Sequence, residues 1–135
     1  MKRLQIFMRR ATCNGTRRAY FMQLDIRGFF LHINKEVLYQ IIAKRIRDET
    51  LLWLARTVIF HDCTKNFVLK GKRDLPAKIP PHKTLFDTEN KRGLPIGNLA
   101  SQFFSNVYLN ELDQFVKHHL KAKYYIRYSD DFVLL

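Results

Sequence analysis

The stretch Tyr124-Tyr125-Ile126-Arg127-Tyr128-Ser129-Asp130-Asp131-Phe132-Val133-Leu134-Leu135 places two adjacent acids inside an apolar run. Aromatic and β-branched residues favour strands, whereas Asp is a poor strand residue. Two neighbouring carboxylates also repel each other when both are ionised. The flanks therefore read as a strand pair that turns at Ser129-Asp130-Asp131, with the acids at its tip. Ordinary turn chemistry accounts for an Asp pair in a hairpin, so the pair acquires meaning only from the residues around it.

A second strand carries another acid. Tyr20, Met22, Leu24 and Ile26 alternate with Phe21, Gln23 and Asp25, the period of a strand over residues 20–26. Asn14-Gly15 marks a turn before it, and residues 1–12 read as the end of a helix. Asn34 is a plausible N-cap for a helix from Lys35 to about Arg47. Its apolar set is Val37, Leu38, Ile41, Ile42 and Ile46. A further helix is expected from about Glu49 to Phe60. Residues 61–92 contain Gly71, Pro76, Pro80 and Pro81 with many charges, and read as a connector with room for a short hairpin. Gly97-Asn98 then opens a long helix, Leu99 to about Leu120, with Phe103, Phe104, Val107, Tyr108, Leu112, Phe115 and Val116 as its expected core stripe. The order β-α-α-connector-α-β-β predicts an α+β fold, an antiparallel sheet with helices packed on one face. The other face, which can stay wet, would carry Asp25 and the tip acids.

If the hairpin tip lies beside the end of the first strand, Asp25, Asp130 and Asp131 converge. Three carboxylates in one place need a cation, and an all-oxygen donor set suits Mg²⁺ or Mn²⁺. Two such ions, typically about 3.5–4 Å apart, activate an attacking hydroxyl and stabilise a leaving phosphate oxygen. Charge points the same way. There are 24 Lys and Arg against 12 Asp and Glu, a net charge of +12, which favours a polyanionic partner such as nucleic acid.

With Asp25, the helix-opening segment and the acid pair in place, the sequence resembles the palm of a reverse transcriptase, an RNA-directed DNA polymerase. Gln23–Phe30 (QLDIRGFF), Arg92–Gln102 (RGLPIGNLASQ) and Tyr128–Asp131 (YSDD) match the family's motifs A, B and C in order. The resemblance implies a polymerase palm and template-dependent addition of deoxynucleotides to a primer by two-metal nucleotidyl transfer. It implies Asp25, Asp130 and Asp131 as catalytic residues, and Asp25, Ile26, Asp130 and Asp131 as ligands of two Mg²⁺ ions, with Mn²⁺ as a substitute. Arg27, Gly28, Phe29, Phe30, Ile96 and Gly97 would face the incoming nucleotide. Phe30 stands at the family's aromatic sugar gate, which leaves no room for a 2′-hydroxyl. Gln102, Tyr128 and Ser129 would meet template and primer. The implied partners are template RNA, a DNA or RNA primer and dNTPs.

Motif B departs from the retroviral pattern, with Ile96-Gly97 and Ser101-Gln102 where Gln-Gly and Ser-Pro are usual. IGNLASQ is similar to the enzymes of diversity-generating retroelements, as are Ile79-Pro80-Pro81-His82-Lys83 and Asn110-Glu111-Leu112-Asp113. Group II intron and retron-type enzymes come next in similarity. The first group implies a small basic accessory protein and a bacterial or phage-encoded, cytoplasmic setting. The family also has fingers before motif A and a thumb after motif C. About twenty residues precede the first strand here and the chain stops within the last, so residues 1–135 are expected to be a partial palm, a piece of a longer polymerase. A catalytically inactive palm remnant that binds nucleic acid is the rival expectation.

Other features point elsewhere only faintly. Arg27-Gly28-Phe29-Phe30 lacks the small residue that an RNA-recognition motif needs where Phe30 stands. His61-Asp62-Cys63 and His118-His119 lack zinc-site spacing, and no Gly-Lys-Ser/Thr follows Gly93 or Gly97. Cys13 and Cys63 make no disulfide framework, so reduced thiols are expected. The first eighteen residues are basic and acid-free like a transit peptide, but they contain no Ser and run straight into a strand. No apolar run is long enough to span a bilayer, and no membrane partner is expected.

Overall fold

The computed structural model describes residues 2–71, 78–88 and 92–135. Along the chain come α1 (Lys2–Ala11), β1 (Met22–Asp25), the single-turn α2 (Phe29–His32), α3 (Lys35–Ala43) and α4 (Glu49–Phe60). Two 3₁₀ turns follow, Pro81–Lys83 and Leu85–Asp87. Then come α5 (Leu99–Gln114), a π-helical turn (Phe115–His119), β2 (Tyr125–Tyr128) and β3 (Asp131–Leu134). The fold is α+β, as expected. Among the described residues no helix is long and apolar enough to cross a membrane.

The chain forms two compact units. The first unites Met1–Arg27 with Leu109–Leu135 and holds the antiparallel sheet, in the order β1-β3-β2. Met22 lies opposite Leu134, Leu24 opposite Phe132 and Asp25 opposite Asp131 on one side of β3. Tyr125 lies opposite Leu134 and Tyr128 opposite Asp131 on the other. Side chains alternate along a strand. One sheet face therefore carries Tyr125, Arg127, Phe132 and Leu134, and the other carries Gln23, Asp25, Tyr128 and Asp131. The end of α5 covers the β2 part of the first of these faces, while Met22 and Leu24 of β1 on the same face stay exposed. Tyr125 and Val116 are buried there, and Tyr125 and Arg127 both bond Asp113. Helical cover on one face and a wet opposite face are what the sequence predicted. The α1 helix belongs to the same unit, and its Phe7 ring meets Tyr124 at 5.2 Å.

The second unit, Gly28–Tyr108, is helical. The Asn34 carboxamide accepts from the Glu36 and Val37 amides, and the Asp48 carboxylate accepts from Leu51. These caps satisfy amides that have no partner inside the helix, each worth about 1 kcal/mol. Leu38, Ile41 and Ile42 recur at helical spacing and are buried, with Ile59 of α4. The core is completed by Phe29, Leu31, Ile33, Leu94 and Phe104. Gly93 donates to the Ile33 carbonyl and Leu94 to that of Phe30, each at 2.8 Å, so the segment before α5 is stitched to the chain around α2.

Several boundaries differ from expectation. β1 is Met22–Asp25, not residues 20–26, because pairing with β3 extends only over Met22–Asp25. α3 ends at Ala43 instead of Arg47, and the amides of Lys44, Arg45 and Ile46 continue as isolated turns. α5 gives way at Phe115 to a π turn, whose wider winding shifts the faces. Hence Val116 is buried while Phe115 is 48% exposed and stacks on His119. Phe103 is also not core. It is 64% exposed and lines an apolar groove of about 490 Å³ with Leu51, Leu54 and Val58. The buried positions of α5 include Ser101 and Ser105 instead. The Ser105 hydroxyl satisfies itself on the Gln102 carbonyl, so a small polar residue can sit where the apolar stripe was expected. The suggested hairpin in the connector finds no strand among the described residues, and Pro76 lies outside them.

Candidate functional site

In the first unit the register decides which acids meet. Asp25 ends β1 and Asp131 begins β3, and the two stand directly opposite each other on the wet face, both exposed. Asp130 occupies the turn one residue earlier and is half-buried. Like charges facing each other across a strand pair destabilise it. Among the described residues no hydrogen bond or ion pair links either acid of the pair to a counter-group. Nor is any cluster of three or more His, Cys, Asp and Glu close enough to hold a metal ion found among them. The arrangement is thus a facing pair with a third acid beside it, not a closed cage.

A divalent cation fits that pair by its chemistry. Mg²⁺ keeps several waters and takes substrate phosphates as ligands, so one or two protein carboxylates are enough. A cation would also remove the repulsion across the register. The Ile26 side chain is half-buried, and Arg27 is exposed.

The hairpin tip is a two-residue turn between Tyr128 and Asp131. Ser129 has φ 56°, while Asp130 does not have a positive φ, the sign pattern of a type II′ turn. Glycine is usual at that first position, so Ser129 holds an unfavourable backbone conformation at the tip. Tyr128 projects from the wet face, 84% exposed.

Behind the sheet lies a polar cluster that sequence reasoning missed. Arg127 Nε and Nη2 grip Asp113 Oδ1 and Oδ2 at 2.9 and 2.7 Å. Tyr125 donates its hydroxyl to Asp113 Oδ1 at 2.7 Å, and Arg127 Nη1 donates to the Ser129 carbonyl at 2.9 Å. Burial pushes the Asp113 carboxyl upward, but the bonds from Arg127 and Tyr125 and the Arg127 charge outweigh it and hold the carboxyl below its ordinary value. The bond to Asp113 raises Arg127 further against its own burial. Burial and the Asp113 bond raise the Tyr125 phenol. A lowered carboxyl contributes stability above its unfolded value, near pH 4, that is lost as pH falls through the folded one. At neutral pH Asp113 and Arg127 are therefore both charged, while the Tyr125 phenol keeps its proton. A lone Arg within an otherwise apolar strand was the one available signal.

Of the residues expected around the nucleotide, Arg27 belongs to the first unit, and the second holds Gly28, Phe29, Phe30, Ile96 and Gly97. Gly28 precedes α2 with φ 61°, and its carbonyl meets His32 Nδ1 at 2.8 Å. A Cβ at Gly28 would come within 3.0 Å of that imidazole. Phe29 as a whole is buried, its ring against Phe30 and Tyr108 and its carbonyl accepting from the Ile33 amide, so it does not face open space as expected of a nucleotide contact. Phe30 is half-buried, its carbonyl held by Leu94. Ile96 is 72% exposed, and Gly97, at φ 92°, has nothing within 4 Å of where a Cβ would stand. Asn98 caps α5 through the Ala100 amide, and Gln102 is exposed one turn on.

Among known families, the one described as reverse transcriptase (RNA-dependent DNA polymerase) matches the chain over residues 2–135. No curated protein matches the chain.

Proposed function

The chain belongs to the reverse transcriptase family, RNA-directed DNA polymerases and hence nucleotidyltransferases that act on template, primer and dNTPs, and within that class we propose a two-metal centre at Asp25, Asp130 and Asp131. The observation that carries this reading is the facing of Asp25 and Asp131 across the β1–β3 register with no counter-charge among the described residues. When bound, a pair of Mg²⁺ ions would favour the primer 3′-hydroxylate and stabilise charge on the leaving pyrophosphate. The chain's own part is to supply oxygen donors, from the two carboxylates and Asp130, on a face open to a large substrate. The α1 helix of the same unit exposes Lys2, Arg3, Arg9 and Arg10, cations suited to a phosphate backbone.

The test is primer extension on an RNA template with and without divalent cation. Extension should require Mg²⁺ or Mn²⁺ and stop on addition of a chelator. Template–primer binding with no extension under either ion would instead favour the inactive remnant.

Phe30 is proposed as the sugar gate, because its ring is partly exposed beside the buried Phe29 while its backbone is held by Leu94. Shortening it should open space for a 2′-hydroxyl. Phe30→Ala is expected to raise ribonucleotide incorporation relative to deoxynucleotide by about 10- to 100-fold, the range that pocket shape alone can discriminate. An unchanged ratio of kcat/KM values for the two nucleotides would remove Phe30 from this role.

The subclass reading rests on Ile96-Gly97-Asn98-Leu99-Ala100-Ser101-Gln102, which is similar to the enzymes of diversity-generating retroelements. A small basic accessory protein and a bacterial or phage-encoded, cytoplasmic setting belong to the same proposal. Error-prone copying of template adenines, measured by sequencing the products, would support it. Uniform fidelity at all four bases would count against it.

A further inference from the structure

We propose that Arg127 is a positioning residue that sets the Ser129–Asp130 turn from behind the sheet, and that Asp113 and Tyr125 aim it. This inference rests on the two-metal reading above. Arg127 lies on the helix-facing side of β2, so its side chain points away from the face that carries Asp25 and Asp131. Its influence on those acids is therefore indirect, through the backbone of the turn.

Three of the bonds made by this one guanidinium define the arrangement. Two go to the Asp113 carboxylate and one to the Ser129 carbonyl. The planar fork of an arginine can make all three at once, whereas a lysine is a single point donor. The Arg127 and Asp113 side chains are 11% and 19% exposed, so solvent screens this pair little. Tyr125 adds a bond to the same Asp113 oxygen that Arg127 Nε uses, which restricts how the carboxylate can rotate.

The turn needs such a restraint. Ser129 sits at φ 56°, a region that disfavours side chains, so the tip has reason to relax into another turn type. Relaxation would re-aim the peptide between Ser129 and Asp130 and shift the start of β3, where Asp131 faces Asp25. The Arg127 bond to the Ser129 carbonyl opposes that change. Asp113 comes from α5, so the covering helix is coupled through one side chain to the acid-bearing tip.

The experiment is a Mn²⁺ titration of the purified protein, read by paramagnetic broadening of the turn amides, with far-UV circular dichroism as a folding check. Arg127→Lys should keep the fold and weaken Mn²⁺ binding about tenfold or more, the usual effect of removing a group that orients metal ligands. Adding Ser129→Gly to that variant should recover most of the loss, because glycine adopts the positive φ without restraint. If Arg127→Lys does not fold, Asp113→Asn carries the same expectation, since it removes the charge that aims Arg127. Wild-type affinity in Arg127→Lys, or no recovery with Ser129→Gly, overturns the proposal. The two readings separate through Asp131→Asn. Binding lost there but intact in Arg127→Lys defeats only the positioning role, whereas wild-type binding that survives Asp131→Asn defeats the metal centre and this inference together.

Discussion

Asp25→Asn is expected to lower metal-dependent primer extension by about a thousandfold while slightly stabilising the metal-free protein. The opposite signs come from one geometry. Asp25 and Asp131 face each other in register on an exposed sheet face. Without a cation the two charges repel, and neutralising one should stabilise the strand pair by a few tenths of a kcal/mol, the low end for facing like charges because both are screened by water. On the proposed two-metal reading the same carboxylate would hold a cation. Losing it would then remove several kcal/mol of charge stabilisation where the phosphate reacts, or about three decades in rate. Urea denaturation in the presence of a chelator and single-turnover extension in Mg²⁺ measure the two effects separately. A variant that is less stable without metal, and whose lost activity follows its unfolded fraction, would make Asp25 a structural residue only.

Gly93→Ala is expected to destabilise the helical unit by about 2–5 kcal/mol. Gly93 has φ 81°, which an L side chain tolerates poorly, at roughly 1–2 kcal/mol. A Cβ would also stand 2.5 Å from Leu85 Cδ2 and 3.1 Å from the Leu31 carbonyl oxygen. The leucine methyl can move, but the carbonyl is backbone in the core-forming segment around α2, and crowding of this kind adds about 1–3 kcal/mol. Gly97→Ala separates the two contributions. Gly97 has φ 92° and open space around it, so only the backbone cost applies. The midpoint of urea unfolding at constant m should fall clearly further for Gly93→Ala than for Gly97→Ala. Equal shifts would show that the crowding at Gly93 is relieved at no cost.

These two glycines also show how sequence reading meets its limit. Both stand in one motif, and nothing in the sequence marks Gly93 as the more demanding. The difference arises because Leu85 and Leu31, from separate segments, close around Gly93 alone. Likewise Phe103 and Ser101 sit two residues apart on α5, and composition assigns the aromatic to the core. Packing does the reverse, burying the serine and leaving the phenylalanine over an open groove.

What the sequence determined by itself is local or motif-borne. Asn34 as a cap, the start of α3 at Lys35, the whole of α4 and the turn at the acid pair all follow from interactions within a few residues. The three ordered motifs likewise carry the family, and the match over residues 2–135 agrees. Only the tertiary structure decided the rest. It set Asp25 opposite Asp131, placed Asp130 beside the pair and not in a cage with it, and brought Asp113 under Arg127. Register and long-range ion pairs join residues far apart in the chain. The period of a strand says which residues share a face, but not which partner each one meets.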